Sequence, residues 1–364
     1  METSEENIME TQKRNVWIPI VIVVVLIAIL GGLVFWQSNK QAAARPTVKI
    51  GIVTDLTGGA SYWGESTQVG AAIAKKELEA EGYKPEFIFE DYKLDAQKAL
   101  SSAQKLVNID NVSGMYAEFN PAAISAGSFL KGKSLLYTYD AAVTSPLAGN
   151  SLAFKTYLDY QAGCKAVAQK FQTEGVTKVG FLKVNLEFGE LCQAGITEVF
   201  GTNLDSEAYT LGDTDFKTQI LKFKTAGVGA VMNVGFEGDT LNTLKAMKEQ
   251  SLKVSYGTVD DTITASVKTQ YPTELKGAWT FGFAQVDPSF SAKIKQETTK
   301  TLSTEFGAAI AYTHLKQMVK ALDKCNNDTT CAATEMAKSV SDSTIGFNKF
   351  IDRIADLDMT VKQY

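Results

Sequence analysis

Residues 48–82 read VKIGIVTDLTGGASYWGESTQVGAAIAKKELEAEG, and this stretch decides the fold class. The first seven residues, 48–54, are mostly small or β-branched, which predicts a strand buried on both faces. The turn at 55–59 contains two glycines, which allow close backbone approach. An amphipathic helix follows and ends near Gly82. The stretch therefore predicts an α/β unit whose helix presents unpaired backbone N–H groups above the sheet edge.

Strand-like and helical segments alternate along the rest of the chain, which is the pattern of a mainly parallel sheet flanked by helices. Further strands are predicted at 86–90, 112–117, 134–139, 178–184, 207–211, 230–234, 254–259 and 277–283. Long helices are predicted at 95–108, 161–173, 216–226, 239–250 and 288–324. This number of units favours two doubly wound lobes over one oversized sheet. The best candidate for the first crossing between lobes is the break after Ser151.

The composition argues against several functional classes. The 364 residues are 45% hydrophobic and carry a net charge of −5, which is a folded composition without the basic stripe of a nucleic-acid-binding protein. The single histidine, His314, argues against a histidine-rich metal site and most histidine-based catalysis, and it is interpreted as a partly buried, satisfied side chain. No nucleophile with its base is recognisable. We expect no metal, no cofactor, no nucleic-acid partner and no enzymatic activity.

An uncharged run at 16–36 precedes the first predicted strand. As a helix it is about 31 Å long, which matches the hydrocarbon core of a bilayer. Two basic residues come just before it, so the positive-inside rule places residues 1–15 in the cytoplasm and the bulk of the chain outside. Residues 37–47 form a short linker. The alternative is a cleaved signal peptide, since the alanines at 42–44 suit a cleavage site.

Four cysteines in a chain that leaves the cytoplasm predict two disulfide bonds, for which three pairings are possible. Cys325 and Cys331 bracket a short polar connection between helices and are close enough in sequence to bridge locally. Cys164 and Cys192 each lie near the start of a predicted helix, so together they would join neighbouring helices. We prefer these two pairs. Four buried free thiols are the alternative.

Four segments carry a resemblance to a known family: KIGIVTDLTGG at 49–59, EDYKLDAQKALSSAQKLVN at 90–108, TKVGFLKVNLEFGELCQAGITEVF at 177–200, and DTDFKTQILKFKTAGVGAVM at 213–232. In this order and spacing they resemble the type I periplasmic solute-binding proteins, in particular the branched-chain amino-acid and amide binding branch of ABC import systems. The resemblance covers residues 48–364. It implies two Rossmann-like α/β lobes joined by three crossovers, with 48–156 and 285–340 in lobe 1 and 157–284 and 341–364 in lobe 2.

Open α/β sheets bind ligands beyond the carboxyl ends of their strands, where helix N-termini converge. The resemblance implies that aromatic side chains clamp the ligand there and that an acid of the second lobe pairs with its ammonium group. Trp63, Phe188 and Phe236 lie where the clamping aromatics belong, and Asp260 lies near the position of the acid. The predicted ligand-binding residues are Trp63, Glu118, Asn120, Tyr139, Asp140, Ala141, Phe188, Phe236, Glu237 and Asp260.

The sequence departs from the family pattern at two strand ends. Glu118 and Asp140 lie where the family places small hydroxyl residues. An unpaired buried acid is costly or has a raised pKa, so we expect a partner cation if these side chains face the cleft. The hypothesis that follows is a ligand with cationic character, such as an amine or a basic amino acid. The alternative is that both acids cap the helices that follow them.

The sequence therefore favours an extracytoplasmic solute-binding protein that captures a small amino acid, amine or amide for an ABC permease. It is expected to be a monomer on the outer face of the cell membrane, held by a single-pass anchor with its N-terminus inside. One alternative is a ligand-sensing ectodomain that signals to a membrane partner. A hydrolase that relies on carboxylates alone is the least favoured interpretation.

Overall fold

The computed structural model describes residues 45–364, and every structural statement below concerns this range. The predicted membrane anchor at 16–36 and the cytoplasmic segment at 1–15 lie outside the described residues, as does most of the linker. Within the described range, no helix combines the length and the apolar character needed to cross a membrane.

The first lobe is built on a seven-stranded sheet with the strand order β11-β12-β5-β4-β3-β1-β2. Neighbouring strands are parallel except for the antiparallel β11–β12 hairpin at one edge. Six of the eight residues of the first strand are buried, all but Thr47 and Lys49, as expected for a strand covered on both faces. The strands are β1 (Thr47–Thr54), β2 (Lys84–Asp91), β3 (Gly114–Glu118), β4 (Leu136–Asp140), β5 (Ala153–Lys155), β11 (Phe347–Ile351) and β12 (Ile354–Leu357).

The second lobe is built on a six-stranded sheet with the order β13-β10-β9-β8-β6-β7. The pairs are parallel apart from β13, which runs antiparallel to β10 at one edge. Both lobes thus have the doubly wound α/β architecture that the alternating pattern predicts. The strands are β6 (Val179–Val184), β7 (Leu204–Tyr209), β8 (Ala230–Asn233), β9 (Ser255–Val259), β10 (Trp279–Phe283) and β13 (Met359–Gln363).

Helices cover the faces of both sheets. In the first lobe, α1 packs directly on α10, and the two backbones come so close that a Cβ atom on Gly70 would lie 2.0 Å from the carbonyl oxygen of Ala308. Glycine is required at this crossing because any side chain would collide with that carbonyl. The helices are α1 (Ser61–Ala80), α2 (Ala96–Asn108), α3 (Phe119–Leu130), α4 (Tyr160–Thr173), α5 (Glu187–Phe200), α6 (Lys217–Ala226), α7 (Glu237–Glu249), α8 (Ala265–Gln270), α9 (Pro288–Glu297), α10 (Glu305–Lys324) and α11 (Thr329–Ala337).

The structure corrects three boundaries predicted from the sequence. The first crossing follows β5, which was not predicted because it is only three residues long, and therefore lies after Lys155 and not after Ser151. The single helix expected at 288–324 is two helices, since the threonine-rich segment 298–304 between them favours extended backbone over helix. The tail at 341–364 is divided between the lobes, because β11 and β12 extend the first sheet and only β13 joins the second.

Two disulfide bonds join the pairs preferred from the sequence. Cys164 on α4 is bonded to Cys192 on α5, with 5.2 Å between the two Cα atoms. Cys325, at the end of α10, is bonded to Cys331 on α11, with 5.7 Å between the Cα atoms. Both members of the first pair are fully buried, so this bond holds two helices of the second lobe together inside the core.

Removing the buried disulfide with the double substitution Cys164→Ala and Cys192→Ala is expected to lower the free energy of unfolding by about 3 to 4 kcal/mol, because the bond closes a loop of 28 residues. The matched control, Cys325→Ala with Cys331→Ala, opens a loop of six residues and is expected to cost about 2 kcal/mol. Equilibrium unfolding in urea measures both values. Equal losses, or a larger loss in the control, would contradict the loop-length argument.

Candidate ligand-binding site

A small cavity lies between the two lobes, at the carboxyl ends of strands from both sheets. Its volume is about 30 Å³. A cavity holds one water molecule for roughly each 10 to 15 Å³, so this space fits only two or three, and the lobes are closed on each other. The first lobe contributes Tyr62, Phe119, Asn120, Asp140, Ala141 and Ala142, the second contributes Phe188, Gly235, Phe236, Asp261 and Thr262, and Tyr157 and Tyr160 come from the first crossing.

Six aromatic side chains form a closed ring of contacts around this cavity. Between consecutive ring centroids, the distances are 5.6 Å from Trp63 to Phe119, 5.4 Å from Phe119 to Phe236, 6.5 Å from Phe236 to Phe188, 5.8 Å from Phe188 to Tyr160, 6.0 Å from Tyr160 to Tyr157, and 6.2 Å from Tyr157 back to Trp63. We call these six residues the aromatic ring. Most of the pairs meet edge to face or tilted, which is the favourable geometry for aromatic side chains.

Phe119 adopts an unusual backbone conformation. Its φ angle is +62°, in the left-handed region that bulky residues rarely occupy. Such a conformation costs roughly 1 to 3 kcal/mol and persists only where the surrounding structure enforces it. Here the side chain is held between Trp63 of its own lobe and Phe236 of the other lobe. The strained backbone therefore directs an aromatic side chain of the first lobe across the cleft.

Two carboxyl groups face the cavity. Asp261, just beyond β9, accepts a hydrogen bond from the hydroxyl of Tyr157, and burial raises the pKa of this carboxyl to about 7. Asp140, at the end of β4, is 2% exposed and accepts a 3.3 Å hydrogen bond from the hydroxyl of Tyr116. Burial raises its pKa as well, and the charges of Glu118 and Asp261 raise it further. Both carboxyl groups are therefore poised to change protonation when their surroundings change.

Hydrogen-bonding capacity is left unused beside Asp140. One of its carboxyl oxygens, Oδ1, is buried without a hydrogen-bond partner, and so is the side-chain oxygen of Asn120. The indole of Trp63 lies near enough to lower the pKa of Asp140, but its Nε1 makes no hydrogen bond of acceptable geometry. Because buried polar atoms are normally paired, this cluster is suited to receive a polar group from a ligand.

The lining of the cavity contains no lysine and no arginine. A buried lysine, Lys155, lies at the end of β5, where its ammonium group donates a 3.1 Å hydrogen bond to the carbonyl of Leu158. Burial lowers the pKa of Lys155 to about 8, while the charges of Asp159, Glu187 and Asp140 act in the opposite direction. Its one hydrogen bond is thus made within the crossing segment and not to either cavity carboxyl.

Comparison with known proteins places the chain in a family. Residues 47–361 match a family model described as periplasmic binding protein. The chain belongs to the periplasmic binding protein family. The family resemblance inferred from the four sequence segments is therefore confirmed.

Relatives of this periplasmic binding protein are distant. It is 22% identical over 234 residues to Leu/Ile/Val-binding protein homolog 7 of Brucella melitensis, in a match that covers 59% of this chain and 58% of the relative. The chain thus spans less than two thirds of the length of that curated relative.

Solved structures share the fold. The solute-binding protein of an ABC transporter from R. palustris, in complex with 4-hydroxybenzoate, has a TM-score of 0.80 at 16% identity, covering 87% of this chain and 93% of that one. The branched-chain amino-acid binding protein LivJ from Streptococcus pneumoniae, in complex with isoleucine, has a TM-score of 0.77 at 17% identity, covering 88% and 96%. At these identities the likeness establishes the fold alone.

The structure of this periplasmic binding protein places the predicted site residues in two groups. The cavity is lined by five of them: Asn120, Asp140, Ala141, Phe188 and Phe236. Trp63 belongs to the aromatic ring but is 1% exposed and lies behind the cavity lining. The prediction that Trp63 clamps the ligand directly is thus corrected, because the indole packs in the lobe interior.

The remaining four predicted residues are directed elsewhere. Glu118 accepts hydrogen bonds from Thr54 and Thr67 inside the first lobe, and burial raises its pKa to about 7. Tyr139 stacks on Tyr137, with 5.5 Å between ring centroids. The alternative that Glu118 caps a helix is also excluded, because its side chain makes no capping bond to α3.

The other two lie in the second lobe. Glu237 accepts a 2.5 Å hydrogen bond from the hydroxyl of Thr264. Asp260 forms an ion pair with Lys362, with 2.8 Å between nitrogen and oxygen, so the acid that reaches the cavity is its neighbour Asp261. The two acids are the first residues of a 3-10 turn, Asp260–Thr262, that follows β9, and successive side chains of such a turn project about 120° apart, so one faces the cleft and the other faces away.

Several cavity residues were missed by the sequence interpretation. They are Tyr62, Phe119, Ala142, Tyr157, Tyr160, Gly235, Asp261 and Thr262. A signal was present in the crossing segment, where two tyrosines three residues apart follow a buried lysine in KTYLDY. The first crossing runs from one lobe to the other, so its aromatic residues lie beside the cleft. These two tyrosines were therefore a signal for the site in the sequence.

A polar contact joins the lobes at the rim of the cleft. The carboxylate of Glu187, the first residue of α5, accepts hydrogen bonds from the backbone N–H of Thr144 at 2.8 Å and of Ser145 at 3.3 Å. It also accepts bonds from both hydroxyls, at 3.3 Å from Thr144 and 2.7 Å from Ser145. The acceptor belongs to the second lobe and all four donors to the first. This contact exists only while the lobes are closed.

Replacing Glu187 with glutamine is expected to raise the ratio of open to closed ligand-free protein by about tenfold. Hydrogen bonds to a charged group contribute about 1.5 kcal/mol or more, and the low end of that range applies because this contact is partly exposed. The measurement is a pulsed-EPR distance between spin labels at Lys98→Cys and Lys245→Cys, one exposed site in each lobe. Labelling is selective because the four native cysteines are disulfide-bonded.

The matched control for this prediction is Glu190→Gln. Glu190 lies one turn further along α5 and pairs with Lys183 of its own lobe, at 2.7 Å. Its loss should leave the distance distribution unchanged. If Glu187→Gln also leaves the distribution unchanged, the rim contact does not hold the lobes together.

Proposed function

We propose that this protein is the solute-binding component of an ABC importer and captures a small amino acid, amine or amide between its lobes. The observation that carries the proposal is the cavity between the lobes, whose lining comes from the strand ends of both sheets. Membership of the periplasmic binding protein family supports it. So do the printed names of structural neighbours, several of which are solute-binding proteins of ABC transporters.

Ligand capture in this proposal is a shift between an open and a closed arrangement. The chain passes between the sheets after β5, after β10 and between β12 and β13, and these three segments form the hinge. A ligand that contacts both lobes binds the closed arrangement more tightly than the open one, so it favours closure. The closed protein then presents a surface to the permease that the open protein lacks. The role requires binding and release and no catalytic step.

The location that we propose is the outer face of the cell membrane. The apolar run at 16–36 supports a single-pass anchor with the N-terminus inside, or alternatively a signal peptide cleaved near 42–44. Two disulfide bonds support an oxidising compartment. A monomer is sufficient for this role because one chain supplies every residue that lines the cavity.

The proposal is tested on the full-length protein in lipid nanodiscs with the two spin labels described above. A panel of amino acids, amines, amides and aromatic acids is screened by thermal unfolding, since a ligand at 100 times its Kd stabilises by about 2.7 kcal/mol. The expected result is at least one compound that both raises the Tm and shortens the distance between labels. If no compound of a broad metabolite library does both, the proposed function is wrong.

A further inference from the structure

The aromatic ring and the two cavity carboxyl groups form one enclosure with a defined charge. Five of the six ring residues line the cavity, and Tyr62 adds another aromatic surface. Asp140 and Asp261 reach the same space from opposite lobes. Aromatic faces carry negative electrostatic potential, so they attract cations in the same way as carboxylates do.

Neither cavity carboxyl is neutralised by the protein. Within residues 45–364, no ion pair involves Asp140 or Asp261; the side-chain donors are the hydroxyls of Tyr116 and Tyr157, and the backbone of the Asp261 segment adds neutral donors to Asp261. Asp140 is 2% exposed, and its Oδ1 has no hydrogen-bond partner at all. A buried carboxyl group without a cation keeps its proton, because the ionised form is costly there; a cationic ligand can replace that proton and complete this arrangement.

Further acids lie around the enclosure. The charge of Glu118 raises the pKa of Asp140, and the charges of Glu237 and Asp55 raise the pKa of the Tyr62 hydroxyl. The opposing group is Lys155, whose ammonium donates its hydrogen bond to a backbone carbonyl in the crossing. The carboxyl groups around the site therefore outnumber the cations.

We propose that the ligand is a small organic cation, an alkylated or otherwise substituted ammonium group, enclosed by the aromatic ring and paired with Asp140 and Asp261. This inference rests on the proposed function and narrows its ligand class. The lining contains no lysine or arginine, so a carboxylate on the ligand would find no cationic side chain there and would be repelled by the two acids. It is small, because the closed lobes leave a cavity of only about 30 Å³ and every added atom must be accommodated by opening them.

The first test compares a cation with its neutral isostere. Choline and 3,3-dimethyl-1-butanol have the same shape, but the quaternary carbon of the alcohol replaces the charged nitrogen. Tetramethylammonium, ethylammonium and putrescine extend the cation set, and leucine and 4-hydroxybenzoate represent ligands with a carboxylate. Isothermal titration of the full-length protein is expected to show at least about 100-fold tighter binding of the preferred cation than of its neutral counterpart.

The outcomes separate this inference from the proposed function. If leucine, 4-hydroxybenzoate or the neutral alcohol binds as tightly as every cation and brings the spin labels together, the inference is wrong and the proposed function stands. If no cation of the set binds, the inference is also wrong. If no compound of any class closes the lobes, the proposed function fails as well.

Variants test whether these residues carry the selectivity. Asp261→Asn removes a carboxylate at nearly constant shape, and Phe236→Leu removes an aromatic face but keeps apolar bulk; each is expected to lower the affinity for the cation by about tenfold or more. The matched control is Asp205→Asn on β7, whose carboxylate pairs with Lys178 at 2.9 Å and does not line the cavity. The control variant should bind the cation with the same affinity as the unsubstituted protein. Thermal unfolding establishes that all three variants are folded.

The preference for the cation over its isostere distinguishes a binding role from a structural one. A purely structural effect of the substitution would lower the affinities for the cation and for the neutral alcohol by the same factor. The ratio of the two affinities would then be unchanged, which would overturn the proposed roles. The affinity for the cation should also fall by tenfold or more between pH 8 and pH 5.5, because protons compete with the cation for the two carboxylates. A cation affinity that is independent of pH would contradict the proposed pairing.

Discussion

Replacing Trp63 with alanine is expected to lower the free energy of unfolding by about 3 to 5 kcal/mol, the usual cost of deleting a large buried aromatic side chain. The indole is 1% exposed and contacts Phe119 and Tyr157 in the aromatic ring. It also packs against the backbone of α10, where a Cβ atom on Gly307 would lie 3.2 Å from the indole. Removing it leaves a cavity that these rigid neighbours cannot fill.

The matched control is Trp279→Ala. Trp279 lies on β10, is only partly buried, and donates a 2.7 Å hydrogen bond from its indole nitrogen to exposed Glu174. We expect this substitution to cost less than half as much as Trp63→Ala, because less apolar surface returns to water. Urea denaturation of both variants gives the comparison. Similar losses for the two tryptophans would show that Trp63 is not a central element of the core.

The ligand-free protein is expected to be most stable near pH 5 and to lose on the order of 5 kcal/mol between pH 5 and pH 7.5, since a net of about two protons contributes about 1.4 kcal/mol per proton and pH unit over about two pH units. Burial raises the pKa values of Glu118 and Asp261 to about 7 and that of Asp140 well above its usual range. These three carboxyl groups stay protonated in the folded state at pH values where the unfolded chain has released the protons. Stability therefore falls as the pH rises toward 7.

The buried side chain of His314 has the opposite effect on the pH dependence of stability. Burial lowers the pKa of His314 to about 4, so the folded state keeps it neutral while the unfolded chain takes up a proton below about pH 6.5. Stability from this group is lost as the pH falls. In the folded state three carboxyl groups keep a proton that the unfolded chain releases, and one histidine lacks a proton that the unfolded chain binds. The carboxyl groups have the larger effect, so the free energy of unfolding falls as the pH rises in this window.

The midpoint of urea unfolding, measured at intervals between pH 5 and pH 7.5 without ligand, tests this prediction. Asp261→Asn should reduce the slope, because an amide cannot titrate. Stability that rises steadily up to pH 7.5 would contradict the assignment of protonated carboxyl groups to the closed cavity.

Much of the fold was predictable because it depends on local pattern. The strand at Thr47–Thr54 and the helix after it follow from β-branched residues, a glycine turn and amphipathic spacing. The two disulfides follow from cysteines at the starts and ends of neighbouring helices. The elements that were missed are short, such as the three-residue strand Ala153–Lys155, because three residues carry no readable periodicity.

The site was predictable in position but only partly in its residues. Strand ends directed attention to Asp140, Phe188 and Phe236, all of which line the cavity. The choice between Asp260 and Asp261 depends on the 3-10 turn that both residues adopt after β9, and the sequence spacing does not specify this turn. Phe119 reaches the cleft because its backbone adopts a left-handed conformation, and no propensity rule predicts that for phenylalanine.

The amino-acid sequence alone is sufficient to establish the two-lobed α/β class, the family and the sheet edge at which the cavity lies, because these depend on periodicity and on ordered motifs. The tertiary structure decides which side chains meet across the cleft. The aromatic ring joins residues from Trp63 to Phe236, and the two cavity carboxyl groups come from different lobes. Such an arrangement exists only after distant segments pack together, since contacts between residues far apart in sequence depend on lobe closure and not on local preference.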